Sequence, residues 1–154
     1  GFLAWVVYQY LNAHYFFEVD VLGKSNKELW GDKLKDSLDT KYDIVIDLNT
    51  RDEVFTQDIV TEQGLIVLGA EKSNGVTTRF EKLLWNAVTV VFPSPRQKNF
   101  KRCMEMAVKM IETGALDIDK FWSKGYDRET EWQDAFKESD YRMPGFNRGY
   151  IEWL

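Results

Sequence analysis

Three short apolar runs constrain this chain more than any other feature. They are Asp43-Ile44-Val45-Ile46-Asp47-Leu48, Leu65-Ile66-Val67-Leu68 and Ala87 to Phe92. Each has strand length, and the runs are rich in β-branched residues. Near-continuous runs of this kind suit strands covered on both faces, as in parallel sheets. Stretches of helical periodicity lie between and around them. Phe2, Leu3, Val6, Val7, Tyr10 and Leu11 recur at helical spacing, predicting a helix over 2–13. Phe80, Leu83 and Leu84 form a stripe in a helix over 78–85. The clearest stripe is Phe100, Cys103, Met106, Ala107, Met110 and Ile111, closed by Gly114 as a C-terminal cap. Strands alternating with helices imply βαβ units and an α/β fold.

The remaining segments fit that frame. Phe17 to Leu22 alternates with period two and ends at Gly23, so it reads as a strand. One or two short helices are expected around Glu28–Leu38. Asn49-Thr50 is a good capping pair for a helix over roughly 51–60, broken by Gln63-Gly64. Pro93 and Pro95 stop the strand at Phe92. Phe121–Tyr126 reads as a short strand, Trp132, Ala135 and Phe136 as a helix, and Tyr150-Ile151-Glu152-Trp153 as a terminal strand. At 154 residues the chain has the size of one domain and can bury a core without disulfide or metal staples.

Charge and composition narrow the function classes. A net charge of −5 and a pI near 5.0 argue against general nucleic-acid binding, which needs a basic face. The apolar segment 2–11 is too short for a bilayer, which needs about 20 residues. It lacks the basic region and small-residue cleavage site of a signal peptide, so a cytoplasmic location is expected. A single cysteine, Cys103, excludes an internal disulfide framework and is expected to be a small core residue. The single histidine, His14, follows a helix and suits its C-terminal dipole. Asp117 and Asp119 read as turn residues after Gly114. There is no Tyr-x-x-x-Lys, Walker A or His-Glu-x-x-His pattern.

In open parallel sheets, ligands bind at the carboxyl ends of the strands. The loops to weigh are therefore Gly23–Ser25, Leu48–Arg51, Leu68–Ala70 and Phe92–Lys98. Gly23-Lys24-Ser25 has no carboxylate where one would repel a ribose 2′-phosphate. Gly leaves room, Lys24 supplies positive charge, and Ser25 can donate a hydrogen bond. Were this loop to meet a dinucleotide ribose, its composition would favour NADP over NAD. Each loop also has a plainer reading: Lys24 as a solvated turn residue, Asn49 as a helix cap, Gly69 as a simple turn.

The order of these segments carries a resemblance. A helix opening at Gly1 precedes a strand ending in Gly23-Lys24. A strand then ends in Asp47-Leu48-Asn49, and another runs Gly64-Leu65-Ile66-Val67-Leu68-Gly69. Thr77-Thr78-Arg79, Gly114-Ala115-Leu116-Asp117-Ile118-Asp119, Asp134-Ala135-Phe136 and Arg148-Gly149-Tyr150-Ile151-Glu152-Trp153 follow. The chain resembles the cofactor-binding half of the medium-chain, zinc-type alcohol dehydrogenases, over essentially its whole length. Within them it is most similar to the reductases that convert ribulose 5-phosphate to ribitol 5-phosphate for CDP-ribitol, through Val21-Leu22-Gly23-Lys24, Thr78-Arg79 and Ile151-Glu152-Trp153. Sorbitol- and threonine-dehydrogenase-like members share much of the pattern.

The resemblance implies a Rossmann-like, doubly wound, mainly parallel sheet with helices on both faces, spanning 1–154 and lacking its first strand. The family's Gly-x-Gly-x-x-Gly is represented only by Gly1, its last glycine. By resemblance, Gly1 would face the cofactor pyrophosphate at a helix N-terminus, and Arg148 the phosphates. Gly23, Lys24 and Ser25 would meet the adenosine ribose, and Asn49 a cofactor ribose. Leu68, Gly69 and Ala70 would pass close to the nicotinamide. The catalytic zinc ligands would lie in an N-terminal domain preceding Gly1. A homodimer through the sheet edge near Ala87–Phe92 and a sugar-phosphate substrate are further expectations. A non-catalytic Rossmann-like nucleotide-binding or interaction module is the alternative that the absent catalytic residues leave open. A doubly wound methyltransferase is disfavoured, because it would place an acidic residue where Gly23-Lys24 stands.

Overall fold

The computed structural model describes residues 1–15, 17–24, 26–49, 53–70, 78, 80–141 and 147–153. The chain divides into two compact units. One joins Gly1–Phe17 to Glu105–Leu154, and the other is Glu18–Met104.

The unit Glu18–Met104 holds two parallel sheets. In the first, β1 (Val21–Leu22) pairs with β2 (Leu34–Lys35), the short helix α2 (Lys27–Trp30) and one 3-10 turn lying between them in sequence. The second has the order β3-β4-β5, with β3 at Tyr42–Asp47, β4 at Val60–Leu68 and β5 at Thr89–Val91. Its two pairings are also parallel. Short helices α3 (Glu53–Thr56) and α4 (Phe80–Trp85) provide the crossovers. The buried side chains Val54, Ile59, Val60, Ile66 and Leu68 form the core, with Val45, Leu83, Val88 and Val90 packed against them. The apolar runs supply Ile66 and Leu68 and, packed against them, Val45, Val88 and Val90, while Val54, Ile59 and Val60 come from outside the runs and Ile44 and Val91 stay exposed.

The starts of β1 and β3 are tied together. Tyr42 Oη donates to Asp20 Oδ2 at 2.8 Å, and Lys35 Nζ lies 3.7 Å from the same carboxylate. Burial and the Asp20 hydrogen bond both push the Tyr42 hydroxyl up from its ordinary pKa. The strands β1 and β3 belong to different ladders, and among the described residues no strand bridges them.

Several boundaries differ from the sequence expectation. The strand expected over Phe17–Leu22 pairs only at Val21–Leu22, because its partner β2 is two residues long. Among the described residues the helix expected over 51–60 covers Glu53–Thr56, and Ile59 and Val60 instead enter the core at the start of β4. Gln63-Gly64 therefore does not break a helix. It forms an irregularity inside β4, with Gln63 at φ 60° and its N–H donating to Asn86 O at 2.7 Å. A side chain at Gly64 would meet Val60 Cγ1 at 2.5 Å and the Thr61 carbonyl at 2.9 Å, so the kink requires glycine there.

The unit Gly1–Phe17 with Glu105–Leu154 contains α1 (Phe2–His14) and a parallel pair, β6 (Trp122–Asp127) and β7 (Arg148–Glu152), connected through α6 (Trp132–Tyr141). Trp5, Met110, Leu116, Phe121 and Tyr126 are its buried apolar residues. Gln9 holds the Asp117 backbone at both ends. Its Nε2 donates to Asp117 O at 2.9 Å and its Oε1 accepts the Asp117 N–H at 2.7 Å. Trp5 Nε1 donates to the same carbonyl. Asp117 is thus a turn residue, as expected. His14 stacks on Tyr10, its Nδ1 3.1 Å from the Tyr10 carbonyl at the end of α1.

The helix α5 (Phe100–Glu112) has a less buried apolar stripe than its periodicity predicts. Met110 is buried and Ala107 half-buried, but Phe100, Met106 and Ile111 are exposed. Cys103 is exposed as well, which corrects its expected core placement. Periodicity identifies an apolar face, not what covers it.

Tyr126, almost fully buried, donates from Oη to Glu138 Oε2 at 2.9 Å. Lys124 Nζ pairs with Glu138 Oε1 at 2.9 Å. Lys124, then the Tyr126 hydroxyl, hold the Glu138 carboxyl below its ordinary range. Asp127 is held low first by the Thr130 hydroxyl, then by the backbone N–H groups of Thr130 and Glu129. Both carboxyls are depressed in the folded state, so the unfolded chain binds more protons at acid pH. Their stabilisation is complete above the ordinary carboxylate range of about 4 to 4.5 and is lost as pH falls through the depressed values. Thermal melting should fall steadily below about pH 4.5. Glu138→Gln should flatten that slope, and an unchanged slope would show that Glu138 is not held this way.

Candidate functional site

The carboxyl ends of β3 and β4 lie side by side. The Gly69 N–H donates to Asp47 O at 2.8 Å, extending the ladder one step past the Asp47–Leu68 pair. Asp47 is buried, and its Oδ1 accepts the Asn49 N–H at 3.0 Å. A side chain at Gly69 would meet Leu48 Cδ2 at 2.7 Å, so glycine lets the two strand ends approach.

A cavity of about 520 Å³ opens at the ends of β4 and β5. Phe55, Leu68, Gly69, Ala70, Val90 and Phe92 are among its walls, with Thr78 a polar member. It is mostly apolar, with aromatic rings on several sides. Such a cavity suits a flat ring with few polar groups.

The structure thus brings Leu68, Gly69 and Ala70 to one cavity, with Asn49 on the neighbouring strand end. Thr50 lies outside the described residues. Gly23 follows β1, its N–H donating to Lys35 O at 3.3 Å. A Cβ there would touch Leu34 Cδ1 at an ordinary 3.5 Å, so packing does not demand glycine. Lys24 is exposed beside it. Ser25, Arg79 and Arg142 lie outside the described residues.

The other unit gathers a second pair of expected residues. Gly1 is the N-cap of α1, and its carbonyl accepts the Trp5 N–H at 3.1 Å. The guanidinium of Arg148, at the start of β7, lies 5.1 Å over the Phe2 ring. The helix start and the arginine therefore converge, a combination suited to an anion. Arg96 and Lys98 are solvent-exposed in the loop after β5.

Sequence reasoning missed the Asp47 hydrogen bonds, the Phe55 wall and the Arg148–Phe2 stacking. Only Asp47 carried a signal, as one of two carboxylates, with Asp43, in a strand of apolar residues. Among the described residues no three His, Cys, Asp or Glu side chains are grouped to hold a metal, and no helix is long and apolar enough to cross a membrane.

No family model and no curated protein matches the chain. Solved structures do. A protein named short chain alcohol dehydrogenase from E. coli CFT073, complexed with NADH, matches at TM-score 0.77 and 14% identity, over 97% of this chain and 49% of that one. L-idonate 5-dehydrogenase from E. coli K-12 matches at TM-score 0.80 and 13% identity, over 99% of this chain and 48% of that one. The chain shares the fold of these dehydrogenases. That fold is Rossmann-like, α/β with parallel strands, as the order of its segments implied. The chain spans about half the length of the structures it matches.

Proposed function

We propose that residues 1–154 form the coenzyme-binding portion of an NADPH-dependent medium-chain alcohol dehydrogenase or reductase. The apolar cavity at the carboxyl ends of parallel strands, in a fold shared with dehydrogenases, carries this reading. A nicotinamide coenzyme supplies hydride to a carbonyl carbon, or takes it from an alcohol carbon. In this reading Leu68, Gly69 and Ala70 orient the ring and exclude water. Gly69 lines the cavity with its backbone, because Leu48 Cδ2 takes the place its Cβ would have. Gly1 and Arg148 receive the pyrophosphate, and Asn49 a ribose. Gly23 and Lys24, with Ser25, receive the 2′-phosphate. Among the described residues no three His, Cys, Asp or Glu side chains are grouped to hold a zinc ion, and the resemblance alone would place the zinc ligands in a separate catalytic domain. Ribulose 5-phosphate is the proposed substrate, on the resemblance of Val21–Lys24, Thr78-Arg79 and Ile151–Trp153 alone.

Fluorescence titration of the complete natural protein tests the reading. NADPH should bind at least about tenfold more tightly than NADH, or about 1.4 kcal/mol. Tighter NADH binding would overturn the coenzyme preference, and binding of neither would overturn the class.

A homodimer through β5 is part of the proposal. This strand is at one end of its sheet order, with Val91 and Phe92 exposed. On α4, Leu84 and Trp85 are also exposed. An uncharged edge beside apolar surface is a poor place to leave unpaired. Light scattering at micromolar concentration should give the mass of two chains, and Val91→Lys should give one. A wild-type monomer would overturn it.

A further inference from the structure

We infer that Asp47 is a positioning residue of the nicotinamide side of this site; the inference rests on the coenzyme reading above. Its carboxylate is buried at the end of β3, 6% exposed, where an ionisable group needs hydrogen-bond partners. Its side chain and backbone grip two different chain segments. Oδ1 accepts the Asn49 N–H, fixing the turn that leaves β3. The carbonyl accepts the Gly69 N–H, fixing the turn that leaves β4. Leu48, between Asp47 and Asn49, fills the space beneath Gly69 that a Cβ would occupy. Asp47, Leu48 and Asn49 therefore brace Gly69 from one side, and Gly69 with Leu68 and Ala70 walls the cavity. The carboxylate acts through this bracing and takes no part in proton transfer.

Truncating the side chain removes the acceptor for Asn49 N–H. The Leu48–Asn49 turn is then free to open, Leu48 loses its seat, and the Gly69 wall loosens. The loop at Gly23-Lys24 follows a strand of the other ladder and should be unaffected. The effect should therefore fall on the nicotinamide side of a bound coenzyme and spare the 2′-phosphate side.

The test uses the complete protein, with NADPH and with 2′,5′-ADP, which carries only the phosphate-ribose-adenine part. Asp47→Ala should weaken NADPH about tenfold and leave 2′,5′-ADP within about twofold. Asp47→Asn keeps an acceptor oxygen and should stay within about threefold of wild type for both. Without ligand, hydrogen exchange at the Asn49 and Gly69 amides should quicken in Asp47→Ala and remain protected in Asp47→Asn. Equal weakening of both ligands, an Asn variant as damaging as the Ala variant, or unchanged amide protection would overturn the inference. A wild-type protein that binds neither ligand overturns the coenzyme reading instead, and the exchange of the two amides then decides the role of Asp47 by itself.

Discussion

Replacing Lys24 with Glu should weaken NADPH binding by about 30-fold to 100-fold and leave NADH within a few-fold of wild type. Lys24 stands exposed directly after Gly23, at the end of β1. A ribose 2′-phosphate carries close to two negative charges at neutral pH. The substitution removes one favourable charge and adds one unfavourable charge, a swing of two units against the phosphate. At about 4 Å the unit-charge pairs involved would sum to about 4 kcal/mol in unscreened water, and salt and side-chain freedom at an exposed site reduce this to about 2–3 kcal/mol. NADH has no phosphate there, so its affinity should scarcely change. The effect should shrink as salt rises, because the side chain is exposed to counterions. Titrating both coenzymes at low and moderate salt checks all three statements. Parallel losses for NADPH and NADH would point to a folding defect, and no loss for either would remove Lys24 from the site.

The largest effect on stability is expected at Ile66. It is fully buried at the middle of β4, opposite Val45 on β3 and Val90 on β5. Removing its outer carbons leaves a cavity between packed layers that close only partly. Ile66→Ala should cost about 3 kcal/mol and Ile66→Val about 1 kcal/mol. For a domain of this size that is a drop of about 6–12 °C in melting temperature for the alanine variant. A loss below about 1 kcal/mol for alanine would show that β4 is not the centre of this core. Because Leu68 and Gly69 leave the same strand toward the cavity, Ile66→Ala should also weaken coenzyme binding near its melting temperature, but not well below it.

What the sequence by itself determined is most of the local layer: the strands at Ile44–Ile46, Leu65–Leu68 and Thr89–Val91 and the helices α1, α5 and α6 in their order, but not β2, which falls where short helices are expected. The runs at Ile44–Ile46 and Leu65–Leu68 are apolar at successive positions, a pattern that suits strands of a parallel sheet, although Ile44 itself stays exposed. Their order also held the fold class and pointed to Leu68, Gly69 and Ala70, since parallel strands place ligands at their carboxyl ends. The tertiary structure decided everything that depends on a partner distant in sequence. Val60 joined β4 rather than a helix because the core at Ile59 and Ile66 needed it more than the local pattern of 51–60 did. Phe100, Cys103 and Ile111 share a periodic stripe, yet they remain exposed, because periodicity cannot name what packs against a face. Arg148 reached the start of α1, and Gln9 reached Asp117, only once strands and helices far apart in sequence had come together. Asp47 shows the division within one residue. Its position at a strand end is written in the sequence, whereas its hold on Gly69 exists only because β3 and β4 pair in parallel, in this register.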